Sequence, residues 1–164
     1  MRKIKAVSMI VAGLALGANV LNAQSASINA TATVLAPIVV TAGNPLAFGN
    51  VTPNVNKTVA ASAASAGSFS IAGAASQGIQ LTFTLPANLT SGGNTMPIGT
   101  WTGLTNTTNS QGTGVAFTPS AVATNGTTSG SGAFFVWVGA TVSPAAAQAA
   151  GAYSGSITMN VVYQ

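Results

Sequence analysis

The stretch Ile79-Gln-Leu-Thr-Phe-Thr-Leu85 decides the fold. Ile79, Leu81, Phe83 and Leu85 fall on one side of an extended chain, and Gln80, Thr82 and Thr84 fall on the other. A period of two buries one face of a strand and leaves the other polar. The same rhythm returns at the C-terminus, where Tyr153, Ile157, Met159, Val161 and Tyr163 share a face backed by Ser154, Ser156, Thr158 and Asn160. Phe69 with Ile71, and Val115 with Phe117, predict shorter strands. Ala133-Phe-Phe-Val-Trp-Val138 is apolar on both faces, which predicts a central strand or one covered by a neighbouring subunit. Ser91-Gly-Gly-Asn94 reads as a tight turn, Gly103 to Gly114 as a surface loop, and Asn125-Gly126 with the Ser/Gly run after it as a hairpin connection. The seven prolines are expected at strand ends or connections. Helical rhythm is confined to Pro144-Ala-Ala-Ala-Gln-Ala-Ala150, which predicts one connecting turn of helix. Many short strands with turn signals between them predict an all-β sandwich or barrel.

Composition removes most chemistry. The 164 residues contain no Cys, His, Asp or Glu, and only 2% of them are charged. Paired carboxylates, imidazole bases and thiolates are therefore absent, which argues against an enzyme. The usual side-chain ligands of zinc and calcium are missing too, so no metal or other cofactor is expected.

Arg2, Lys3 and Lys5 precede an apolar run from Ala6 to Ala18. A basic head, an apolar stretch and small residues near Ala23 have the layout of a secretory signal peptide over residues 1–23. The run is shorter than a membrane span requires and is interrupted by Gly13, Gly17 and Asn19. Export to the cell surface or beyond is the expectation, with no membrane span in the mature chain. Removal of residues 1–23 leaves Lys57 as the one charged side chain, and therefore no basic patch for nucleic acid. A nearly neutral surface lacks the repulsion that keeps copies apart, so self-association is expected. Lys57 beside Thr58 has no third group to orient it as a catalytic pair and reads as an edge lysine.

Residues 25–35 read Ser-Ala-Ser-Ile-Asn-Ala-Thr-Ala-Thr-Val-Leu. Ala26, Ile28, Ala30, Ala32 and Val34 share one face, opposed by Ser25, Ser27, Asn29, Thr31 and Thr33. The alternation stops at Pro37, and a new apolar strand begins at Ile38-Val-Val40. Such a segment is either the first strand of its own sandwich or a donor strand that completes the sheet of a neighbouring copy. Periodicity alone does not say whose sheet it joins.

Ala30-Thr-Ala-Thr-Val-Leu-Ala-Pro-Ile-Val-Val-Thr41, Leu46-Ala-Phe-Gly49 and Val51-Thr-Pro53 resemble the family called domain of unknown function 4402. Phe69-Ser-Ile-Ala-Gly73, Val138-Gly-Ala-Thr-Val142 and the ending from Gly151-Ala-Tyr-Ser-Gly155 to Tyr163 fit it as well. That family is similar to the spore-coat-U and archaic chaperone–usher pilins. The resemblance implies an immunoglobulin-like β-sandwich over residues 37–164, completed by a donor strand from a neighbouring subunit. Residues 24–36 would be the donor, with Ala26, Ile28, Ala30, Ala32 and Val34 pointing inward. The acceptor groove would draw on Ile38, Val40, Phe48, Tyr153, Ile157, Met159, Val161 and Tyr163. The implied function is a structural pilin polymerised with identical copies, with a periplasmic chaperone and an outer-membrane usher as assembly partners. The alternative is a monomeric secreted adhesin, a carbohydrate-binding sandwich using Trp101 as a surface contact. A small outer-membrane barrel fits poorly, because its loops and lumen normally carry charge.

Overall fold

The computed structural model describes residues 24–164 of the chain; residues 1–23, expected from their sequence to be a signal peptide, lie outside the described residues. Residues 24–37 form no regular secondary structure, and all of them are exposed. From Val39 onward the chain is a run of antiparallel strands: β1 (Val39–Ala42), β2 (Lys57–Val59), β3 (Gly67–Ala72), β4 (Gly78–Thr84), β5 (Asn88–Ser91), β6 (Asn94–Asn106), β7 (Val115–Phe117), β8 (Thr124–Thr127), β9 (Ala133–Val142) and β10 (Thr158–Tyr163). A 3₁₀ turn at Gln111–Thr113 precedes β7.

The strands form two sheets. The larger is ordered β1-β3-β9-β6-β5, with β2 also on β9 and β7 also on β6; the smaller is β10-β4-β8. The expected all-β sandwich is what the chain forms. Its main core is built from Ile71 of β3, Ile79, Leu81 and Phe83 of β4, Phe134, Val136 and Val138 of β9, and Met159 of β10. These are the inward positions of the period-two pattern, and Gln80 and Thr82 between them are only half-buried.

Strand β9 is central, as its apolar faces predict. It pairs with β3, β2 and β6. Its alternate residue Trp137 is buried on the opposite face with Val59 and Ala66. A second core cluster joins Met96 and Ile98 of β6 to Ala140 and Val142 of β9.

Gly92 and Gly93, with φ of 51° and 89°, make the β5–β6 turn. Side chains rarely adopt two successive positive φ angles, so the glycine pair is required there.

Several expectations need correction. Asn125-Gly126 is not a connection but part of β8, with Gly126 paired to Ile79. The Phe134 ring lies against Gly126, so that a Cβ there would sit 2.8 Å from the ring. The chain turns instead at Ser129–Gly132, closed by the Gly132 N–H donating to the Ser129 carbonyl. Strand β6 runs on to Asn106, into the stretch read as a loop. Pro97 lies inside β6 rather than at its end, opposite Asn88, where β5 begins. Residues 144–150 hold a single turn closed by the Gln148 N–H on the Ala145 carbonyl, and no helix.

The C-terminal strand also starts later than its alternation suggests. Only Thr158–Tyr163 pair with β4. Ser154 pairs instead with Thr90 of β5, in the other sheet. Residues 155–157 thus cross from one sheet to the other, and a continuous strand cannot serve both.

Candidate functional site

Two edges of the sandwich face the same seam. Among the described residues, β1 pairs only with β3 and β10 only with β4. Val40 lies opposite Ile71 in the β1–β3 ladder, and directly opposed residues share a face. Val40 therefore points toward the core, yet it is 37% exposed. Val161 and Tyr163 lie opposite the fully buried Leu81 and Ile79, and they too are only half-buried. Inward-facing residues on both edges are left partly uncovered, although the residues they oppose are buried.

The seam is closed at one end. The Tyr163 hydroxyl donates to the Ala36 carbonyl at 2.7 Å and accepts from the Ala74 N–H at 2.6 Å. The Tyr163 hydroxyl lies so near Gly73 that a Cβ there would sit 2.5 Å from it, and the Ile38 side chain is in van der Waals contact with the same position at 3.5 Å. Three segments are thereby tied together where β1 begins and β10 ends.

The other end opens into a cleft of about 1020 Å³. One wall is the chain from Ala42 to Val51, and the other runs from Ala149 to Ile157. Leu89, Met96, Ile98 and Val142 line it from β5, β6 and β9. Leu46, Phe48, Val51, Leu89 and Tyr153 are half-buried against the second core cluster there. The Tyr153 hydroxyl is anchored on that wall: it donates to the Ala149 carbonyl at 2.8 Å and accepts from the Gln148 amide at 2.7 Å. No charged side chain lines the cleft. Lys57 spends its ammonium on the Asn50 carbonyl at 2.8 Å, which braces the back of the first wall.

The residues expected to form a groove thus divide by position. Ile38 and Tyr163 meet at the closed end. Val40 and Val161 flank the seam, and Phe48, Tyr153 and Ile157 line the cleft. Met159 is 6% exposed and belongs to the core beneath. Leu46, Leu89, Met96 and Ile98 were not foreseen. They come from distant stretches, and only the β5–β6 hairpin and the loop after β1 bring them together.

The segment expected to fill such a groove keeps its apolar face uncovered. Ile28 is 94% and Val34 95% exposed, and Ala26, Ala30 and Ala32 are exposed as well. Trp101, singled out as a surface contact, is half-buried and packs against both core clusters. It lies at a β-bulge between Gly99 and Thr102, beside Thr100 at a φ of 48°. A bulge re-aims a side chain, and here the ring reaches the core.

Among the described residues no helix is long and apolar enough to cross a membrane. What fold and site define together is a two-sheet antiparallel β-sandwich with an uncharged apolar seam between two free strand edges. The chain belongs to the family described as Domain of unknown function (DUF4402), whose model matches residues 31–163. No curated protein matches it.

Proposed function

We propose that this chain is the structural subunit of an extracellular filament, and that residues 24–36 of one copy, its N-terminal arm, lie as a strand in the seam between β1 and β10 of the next. The observation that carries this reading is the pairing of an open apolar seam with an exposed, alternating arm on the same chain. Each is what the other lacks. The seam has two free backbone edges and half-covered side chains, and the arm has unpaired backbone and an apolar face.

Size and charge support the match. Strand β10 is six residues long, about 20 Å. Residues 25–34 fully extended reach about 33 Å, enough to run along β10 and on into the cleft. Neither surface carries a charged side chain that would have to be desolvated, so their contact along the seam costs little electrostatically. Burying Ile28 and Val34 contributes about 1.5–3 kcal/mol each. Ladder bonds add roughly 0.5–1.5 kcal/mol apiece. Export by the N-terminal signal segment would deliver the subunit to the surface where such a filament works.

Deletion of residues 24–35 is the test. The shortened chain is expected to form no filaments by negative-stain microscopy. The same segment fused after Gln164 is expected to give a stable monomer. Filaments that persist without the arm defeat the proposal.

A further inference from the structure

We infer that Ala36-Pro37, together with the Tyr163 bridge, keeps the arm out of its own seam and so reserves that seam for a second copy. This rests on the filament reading, and the geometry of the seam carries it further. Strand β1 runs from the closed end at Ile38 toward the cleft at Ala42, whereas β10 runs from the cleft side at Ile157 to the closed end at Tyr163. The arm joins the body at the closed end, because Ala36 is held there by Tyr163.

An arm in a β1–β10 seam has three possible placements. In its own seam it must reverse over Leu35 to Ile38 and form a hairpin with β1, lying parallel to β10. In a neighbour's seam and parallel to β10, it brings two closed ends together. The two copies can then exchange arms and stop as a closed pair. In a neighbour's seam and antiparallel to β10, its base leaves at the neighbour's cleft end. The closed end of each copy then follows the cleft end of the previous one, a heterologous contact that continues without limit. The last placement also extends the small sheet in the antiparallel sense it already has, the slightly stronger pairing.

The first placement competes most directly, since the arm is always at hand. It needs a tight turn centred on Ala36 and Pro37. Two-residue hairpin turns take positive φ at one or both central residues, which suits Gly and Asn. Pro37 is fixed near a φ of about −65° and biases Ala36 toward extended backbone. The Ala36 carbonyl is moreover already engaged by Tyr163, whose hydroxyl is fixed in turn by Ala74. Folding back would break that bridge and place Ala36 in an unfavourable conformation. The arm is therefore kept from its own seam, and the seam stays open for another copy.

The test replaces the two residues by a hairpin sequence, Ala36→Asn with Pro37→Gly, in the full chain. Ala30→Cys in both parent and variant gives a single thiol on the arm, because the chain has no cysteine. Each protein is refolded at low concentration, its mass is measured by light scattering, and the rate of maleimide labelling is followed in the monomer fraction. The parent monomer is expected to label like a free thiol and to polymerise on concentration. The hairpin variant is expected to remain monomeric at that concentration, with labelling slowed at least roughly tenfold by burial of the arm. Tyr163→Phe, which keeps the ring and frees the Ala36 carbonyl, is expected to shift labelling the same way by a smaller factor. It also stands in if the double variant does not fold. An unprotected arm thiol in both variants, with polymerisation unchanged, overturns the inference, as does a parent monomer whose arm thiol is already protected. A parent that never polymerises and keeps its arm thiol free defeats the filament reading instead.

Discussion

Ile28→Ala separates the two lives of the arm. In the single chain Ile28 is 94% exposed, so its truncation removes nothing from the sandwich. Thermal unfolding of the monomer is expected to be unchanged within about 0.5 kcal/mol, the usual range for a surface substitution. In the proposed filament the same side chain would lie in the seam of the next copy. The change removes three carbons at about 0.8 kcal/mol per buried CH₂, or about 2.4 kcal/mol per junction. Any cavity left beside Val161 or Val40 raises that figure toward the range of about 2–5 kcal/mol seen for Ile→Ala in cores. At about 1.4 kcal/mol per tenfold, each junction weakens by about fiftyfold. The assay is the protein concentration that supports filaments, measured by sedimentation, with Val122→Ala as an exposed control outside the arm and seam. An unchanged threshold, or a monomer that melts earlier, refutes the reasoning: the first because Ile28 is not buried between copies, the second because it is buried in its own.

Other outcomes follow from the body. Gly126→Val drives a side chain into the Phe134 ring and is expected to destabilise the monomer by about 1–3 kcal/mol, read as a lower melting temperature. Thr128→Val keeps shape but removes a buried hydroxyl that donates to the Ala74 carbonyl at 2.7 Å and accepts from the Gln77 N–H at 2.9 Å. The unpaired Gln77 N–H and Ala74 carbonyl should cost about 1–3 kcal/mol in denaturant unfolding. Residues 24–164 hold no side chain of a type that ordinarily titrates between about pH 5 and 8. Folded and unfolded side chains then bind the same number of protons, the slope of stability against pH is zero, and the unfolding midpoint should stay flat across that window.

Much of the architecture could be read from local pattern. Ile79 to Leu85 alternates because one face meets the core, and β4 keeps that rhythm through Thr84. The two-sided apolar run from Ala133 becomes β9 because neighbours cover both its faces. What local pattern missed depends on distant partners. Gly126 resembles a turn residue, but its lack of a side chain serves the Phe134 ring. Tyr153 and Tyr163 share a sequence rhythm, yet Ser154 pairs with Thr90 in one sheet while β10 pairs with β4 in the other. At the site, Phe48, Tyr153 and Ile157 were within reach of sequence reasoning. Leu46, Leu89, Met96 and Ile98 were not, since an apolar residue in a loop or a strand carries no local sign that it will line an open cleft. The Tyr163 bridge was equally hidden, because it joins the penultimate residue to the backbone of Ala36 and Ala74.

If the filament forms as proposed, the seam accepts the arm of another molecule. Isothermal titration of a synthetic peptide of residues 24–36 into the chain lacking residues 24–35 tests it directly. One peptide should bind per chain with a negative heat-capacity change, the sign of apolar burial, and binding should vanish when Ile28 and Val34 of the peptide are both replaced by Ser. A peptide that gives no binding at millimolar concentration, or one that binds equally well with both serines in place, contradicts it.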